Sequence, residues 1–383
     1  MFPRRNYASD DAFGIDVVVK VVVDTSVLEE RVKKLLQDKT HLEQLKEAQK
    51  REKVLLQKVA QLEGENRKLT LRKQSTKKLK KQFQQASRGL TAVDWFYKAV
   101  ALWDGGKCTD PKKAIEYLNN AINLQPDDAA AYIIIRGLAY YNLGRHQRAI
   151  EDYNKAIRLK PDLARTFNLY NRRGLAYADL GQHQRAIEDY DKAIRLKPDD
   201  AVYHTNRGAA YFGLGQHQRA IEDLNEAIRL KPDYVQAYIL RGGTYNYLGQ
   251  HQLAIKDYDE AIRLKPDLAH ILRGLRGRAY DNLGQHQRAI QDYDEAIRLK
   301  PDYADAYYNR GIAYAGLKQY QRAIVDYNQA IRLKPDDANA YGSRGLSYLL
   351  QGKNNLGCRD VQKACALGNC KFLEGAKSEG LCR

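Results

Sequence analysis

From about residue 90 onward, two patterns of hydrophobic and polar positions alternate along the chain. In AIVDYNQAIRL, Ala323 to Leu333, the residues Ala, Ile, Tyr, Ala, Ile and Leu recur at steps of three and four, which marks one face of a helix. The preceding half, ADAYYNRGIAYAG from Ala304, also sets large and small residues at helical spacing. Between the halves lies a short turn such as LGQHQ, whose glycine can supply a left-handed helix end. After RLK comes a proline that cannot continue the helix, then an aspartate able to cap the next one. The basic RLK also falls at a helix C-terminus, where cations suit the dipole. The pattern predicts helix pairs.

The alternation has a period of 34 residues, and Ala304 to Asp337 serves as the reference unit, with Ala304 as position 1. Position 8 is Gly137, Gly174, Gly208, Gly242, Gly277, Gly311 and Gly345 in successive copies, and position 11 is always tyrosine. Positions 20 and 27 are alanine in nearly every copy, and most units close at a proline. The small residues let two helices approach, and the position-11 tyrosines are expected to fill the space between units. With a large residue at 4 and an aromatic at 24, this resembles the tetratricopeptide repeat over residues 89–375. The resemblance implies an all-α, right-handed α-solenoid of about eight antiparallel helix pairs with a concave inner surface. It also implies binding of a peptide or protein partner, with no chemistry of its own.

Departures from the period set the organisation. Residues 1–24 are expected to form a flexible lead-in. From 25 to 86 glycine occurs once and proline never. Leu28, Val32, Leu35 and Leu42, then Leu55, Val59, Leu62, Asn66 and Leu69, keep heptad spacing with one break, which predicts a coiled coil and a homo-oligomer, dimer or trimer. Residues 89–126 read as an atypical first repeat with Trp95, Phe96, Ala99, Leu102 and Trp103 on one stripe; 127–353 form the array; 354–383 form a C-terminal cap containing cysteines. Arrays need such a cap over their last apolar face. Pro161 to Gly174 holds three more residues than the usual spacing, so locally disturbed stacking, through a longer connection or an extra helical turn, is expected at 162–172.

The formal charge is +17, and residues 1–92 hold 21 Lys and Arg against 12 Asp and Glu. A basic neck suits an anionic surface or nucleic acid, which is the alternative function. Its basic run follows the leucines, whereas a leucine-zipper DNA reader places it before them, and no base-reading motif accompanies it, so nucleic acid is not the expected partner. No apolar run is long enough to span a membrane. The expected compartment is cytoplasmic as the sequence stands, or periplasmic if a signal peptide precedes this start.

Two residue sets recur. Histidine occupies position 17 as His146, His183, His217, His251 and His286, with Tyr320 in the sixth copy. Packed helices lie about 8–10 Å apart, too far for copies to share a metal with ligands at about 2 Å, so no metal and no cofactor are expected. Arginine at 7 faces aspartate at 23 in all seven copies, from Arg136/Asp152 to Arg344/Asp360, and predicts a structural ladder. Positions 2, 5, 9, 12 and 13 share one helix face and should line the groove. The candidates are Tyr141, Asn142, Asn171, Asp179, Phe212, Asn246, Tyr247, Arg278, Asp281, Asn282 and Tyr308. Chaperone-binding relatives of this repeat use asparagine at position 9, which is absent here. Cys358, Cys365, Cys370 and Cys382 lack the close pairs of zinc sites; one or two disulfides, or free thiols, both fit the spacing. The expected function is a non-catalytic interaction scaffold.

Overall fold

A computed structural model describes residues 90–104, 107–127 and 129–382. The lead-in at 1–24 and the predicted coiled coil at 25–86 lie outside them. The described residues fall into two compact units, 90–199 and 200–382.

The first unit opens with α1 (Ala92–Val100), started by a capping box in which Thr91 and Asp94 satisfy each other's backbone N–H groups. A two-residue hairpin, β1 (Trp103–Asp104) against β2 (Lys107–Cys108), leads to α2 (Pro111–Leu124). Asp110 accepts from the Lys113 N–H and Pro111 sits in the first turn of α2, as its sequence predicts. Two more pairs follow: α3 (Ala130–Asn142) with α4 (His146–Leu159), and α6 (Leu169–Asp179) with α7 (His183–Leu196). Trp95 is buried at 7 % exposure, and Trp103 packs half-buried on the same core.

The second unit holds five pairs. They are α8 (Ala201–Gly213) with α9 (His217–Leu230), α10 (Val235–Tyr247) with α11 (His251–Leu264), and α12 (Ala269–Asn282) with α13 (His286–Leu299). Then come α14 (Ala304–Gly316) with α15 (Tyr320–Leu333), and α16 (Ala338–Leu350) with α17 (Asn354–Ala366). The described residues are thus an α-solenoid of eight helix pairs.

The extra residues after Pro161 form their own short helix, α5 (Asp162–Thr166). Asn168 then turns left-handed, at φ 52°, and α6 begins. The insertion is absorbed there, because Arg173 of α6 keeps the same partners as its counterparts. The one-residue excess after Pro266 is taken up by a 3-10 turn over Pro266–Leu268.

Glycine at position 8 decides how each pair closes. A Cβ on Gly137, Gly174, Gly242, Gly277 or Gly311 would stand 2.6–2.9 Å from the position-24 tyrosine of the same pair. Those rings, Tyr153, Tyr190, Tyr258, Tyr293 and Tyr327, are each 1 % exposed. The position-24 tyrosines therefore carry the core. Most position-11 tyrosines are only half-buried, and arginines stack on them: Arg148 on Tyr140, Arg185 on Tyr177, Arg219 on Tyr211 and Arg288 on Tyr280, at 5.7 to 5.8 Å.

The ladder exists and has a third arm. Arg241 donates Nε to Asp257 Oδ2 at 2.9 Å and Nη2 to Asp257 Oδ1 at 2.6 Å, a fork-to-fork bond from the first to the second helix. Its remaining nitrogen, Nη1, donates to Asn225 Oδ1 on the preceding pair at 2.6 Å. Arg136 reaches Asp152 and Asn119, Arg173 reaches Asp189 and Asn154, and Arg344 reaches Asp360 and Asn328 in the same way. In Arg276 and Arg310 the third arm meets an aspartate instead, Asp259 and Asp294. The guanidinium is held above its ordinary pKa in Arg136 by the hydrogen bonds it donates to Asp152. Each such arginine ties a pair together and ties it to its predecessor.

The C-terminal tail is not a polar addition. α18 (Lys371–Ser378) buries Phe372 and Ala376, and Phe372 lies flat against Gly342 of α16, where no side chain could fit. Cys358 of α17 is bonded to Cys382, and Cys365 to Cys370, so the cap is fastened at both ends. Cys108 is a free, buried thiol whose pKa burial pushes up to about 11.

Three stability changes follow. Arg241→Ala strips Asp257 of its partner and should cost about 3 kcal/mol in urea unfolding, the usual penalty for orphaning a buried charge. Reducing the Cys358–Cys382 bridge, which spans 24 residues, should cost about 2–4 kcal/mol; equal melts with and without reductant would contradict it. The turn glycines, such as Gly249 at φ 74°, have a lysine counterpart in Lys318 at φ 58°. Lys318→Gly should therefore stabilise the chain by up to about 1 kcal/mol.

Candidate functional site

In the 200–382 unit, successive first helices touch one another across the pairs: α8 and α10, α10 and α12, α12 and α14, α14 and α16. Successive second helices do not approach to the same degree. The first helices therefore line the tighter, inner side of that unit.

The candidates distribute unevenly on this face. Tyr247 is 57 % exposed. Asn142, Asp179 and Asn282 are exposed, while Tyr141, Phe212, Asn246, Arg278, Asp281 and Tyr308 are half-buried. Asn171 is 8 % exposed and belongs to the packed interior of α6 rather than to a ligand surface. Tyr308 stands apart from the others, with its ring 5.9 Å from Tyr327 and its hydroxyl 3.5 Å from Ser343 Oγ.

What joins most of the rest is the histidine row, which the sequence brought forward only as a metal candidate. Each second helix begins at position 17, which drops that side chain between position 12 of its own pair and position 13 of the next. His217 stacks at 4.9 Å on Phe212 and at 4.7 Å on Tyr247, whose ring lies edge-on to Phe212 at 5.5 Å. His251 Nδ1 meets Asn246 Oδ1 at 2.7 Å, and Asn282 donates to the same oxygen at 3.4 Å. His286 Nδ1 meets Asp281 Oδ1 at 2.6 Å, and its ring covers Gly316. In the 90–199 unit His146 lies edge-on to Tyr141 at 5.2 Å, with Nδ1 3.6 Å from Asp179. The signal was present in the constant five-residue step from position 12 to 17, but only the turn geometry shows that it returns to the same face.

The electrostatics follow from half-burial. Desolvation holds the His251 imidazole below its ordinary pKa, favouring the neutral ring. Desolvation also raises the Asp281 carboxyl, partly offset by His286. Among the described residues no group of three or more His, Cys, Asp or Glu side chains is placed to hold a metal, and no helix is long and apolar enough to cross a membrane. The strip from Phe212 to His286 offers aromatic faces, imidazoles, amides and one carboxylate in a continuous line. Such a surface can grip an extended chain by stacking and hydrogen bonding.

Comparison with known proteins agrees with this architecture. The family profile described as TPR repeat matches residues 137–181, 174–215 and 277–318. The profile described as tetratricopeptide repeat matches 201–234, 235–268 and 304–337. None of the curated proteins compared matches the chain. A tetratricopeptide repeat protein from Parabacteroides merdae is similar in fold, with a TM-score of 0.54 and 22 % identity over 64 % of this chain and 95 % of that one. YrrB, described as a TPR protein with an unusual peptide-binding site, has a TM-score of 0.41 and 20 % identity, covering 50 % of this chain and 99 % of its own. Yeast Tom70 has a TM-score of 0.46 and 18 % identity, covering 76 % of this chain and 65 % of its own.

Proposed function

The chain belongs to the tetratricopeptide repeat family, and from that premise we propose that it is a non-catalytic scaffold that holds an extended peptide or protein segment along the first-helix face of residues 200–382. The observation that carries this reading is the strip from Phe212 through His217, Tyr247, Asn246 and His251 to Asp281 and His286. It is continuous across three helix pairs and mixes exposed aromatic area with hydrogen-bonding groups that are held in place by one another. Aromatic anchors of that kind dominate binding energy in protein interfaces. An extended ligand needs a polar–apolar alternation of this sort, with side chains fixed before it arrives.

Oligomerisation through the heptads at 25–86 belongs to the same proposal. Two or three copies of the face on one neck would bind a repeated or clustered partner with avidity, without any new contact. The basic excess in residues 1–92 supplies the competing reading, in which the neck docks on an anionic surface or nucleic acid.

The test is a capture from native lysate with the full chain and with Phe212→Ala/Tyr247→Ala in the full chain, washed at low and moderate salt, followed by affinity measurement on the captured protein. The double variant should weaken that affinity by at least about tenfold while sedimentation reports the same oligomer for both. Undiminished binding by the variant would move the site off this face. Nucleic acid retained by both chains and released as salt rises would instead point to the neck.

A further inference from the structure

Position 9 of the first helix is apolar or carries no side chain in six of seven copies: Leu138, Leu175, Ala209, Gly243, Ile312 and Leu346. In α12 it is Arg278, on the same face as the strip and half-buried. The other half-buried arginines of this helix lie against carboxylates, Arg273 with Nη1 3.4 Å from Asp292 Oδ1. The ladder arginine of this helix is Arg276, engaged by Asp292 and Asp259. Arg298 on the following helix forks onto Glu295 at 2.6 and 2.8 Å. Among the described residues no carboxylate pairs with Arg278.

The surroundings of Arg278 leave room for an anion. Asp281, one turn along the same face, is already taken by His286 at 2.6 Å. The neighbouring helix α10 has glycine at the equivalent position, Gly243, which carries no side chain. Gly274, one turn earlier on α12, likewise has no side chain, and a Cβ there would reach only the Tyr303 ring, at 3.5 Å. The Arg278 charge is close enough to the buried Tyr258, Tyr293 and Tyr303 hydroxyls to oppose the rise in their pKa that burial causes. A guanidinium set among glycines and phenols, half removed from water and without a counter-charge, is stabilised by an incoming carboxylate in the planar two-bond geometry that arginine presents. The chain's formal charge of +17 favours the approach of an acidic ligand.

We propose that Arg278 is the docking point for an aspartate or glutamate side chain of the bound segment, fixing the register of that segment on the strip. This rests on the first-helix face being the binding surface. No other copy of the repeat supplies an equivalent group at this position.

The probes are three immobilised sets of end-blocked decapeptides of otherwise randomised sequence. One carries a fixed central glutamate, one a glutamine in its place, and one the glutamine with a free C-terminal carboxylate. They are presented to the full chain as native protein, as Arg278→Leu and as Phe212→Ala/Tyr247→Ala. Leucine is what α3, α6 and α16 carry at this position, so the substitution suits the fold, and an unchanged melting curve confirms it. The native chain should prefer the glutamate set by about tenfold, the scale of one charge-assisted hydrogen-bonded contact. Arg278→Leu should bring that ratio to about one and leave glutamine binding unaltered. A preference that survives Arg278→Leu, or a native chain that binds glutamate and glutamine sets alike, overturns the proposal; loss of both sets in Phe212→Ala/Tyr247→Ala would then leave the face itself standing. A preference confined to the free C-terminal carboxylate overturns the side-chain assignment. Binding of no set by the native chain overturns the face and the docking point together.

Discussion

Arginine at position 7 has five N–H donors in a rigid plane, and this protein uses them in two directions. One edge of the fork holds an aspartate on the partner helix, and the nitrogen left over holds an asparagine or aspartate on the pair before. The geometry works only if the first helix, its second helix and the preceding second helix stand at fixed distances. A repeat protein is stabilised by the sum of such nearest-neighbour terms rather than by one shared core. The aspartates are nearly sealed from water, with side-chain exposures such as 6 % at Asp257 and 3 % at Asp189. A carboxylate so placed tolerates no apolar neighbour in the arginine's stead, which makes the ladder a constraint on register as much as a source of stability.

Glycine at position 8 and the ring at position 24 are the apolar counterpart of that constraint. The guanidinium at position 7 is adjacent in sequence to the glycine, and the aspartate at 23 is adjacent to the ring. The polar fork and the ring contact therefore lock the same two helices at neighbouring points. Leu224 in α9 and Val361 in α17 replace the ring, and there the glycine faces a smaller side chain at 3.1 and 2.8 Å. The close approach survives the change because the backbone distance is already set by the fork.

The pairing of arginine 7 with aspartate 23 was legible in the sequence because both partners recur with the period. So were the helix pairs and the extra turn after Pro161. The third arm was not, because Asn225 and Arg241 belong to different pairs and their meeting depends on how one pair stacks on the next. The weight carried by the position-24 ring was not legible for a related reason. Positions 11 and 24 are equally periodic, and only the glycine lying opposite position 24 decides which ring enters the core. At the candidate site, helical spacing groups position 5 with the exposed positions 12 and 13, yet position 5 is buried in nearly every copy, as at Ile134, Asn171, Thr205 and Ile239, and the histidines were missed because they sit on the other helix.

The histidine row has a physical logic that separates scaffold from recognition. Position 12 is tyrosine, phenylalanine, asparagine or aspartate in the copies where a contact is seen, yet position 17 stays histidine. Imidazole is an aromatic face, a donor and an acceptor at once, so it stacks on Phe212, bonds the Asn246 amide and pairs with Asp281 without any change of backbone. A constant adapter lets position 12 vary freely while the turn geometry stays fixed. Variation is thereby confined to the side chains of that face, and the ladder beneath them is left untouched. Where the copies differ most on that face, at Phe212, Tyr247 and Arg278, the chain has spent its departures from the repeat on the surface rather than on the stack.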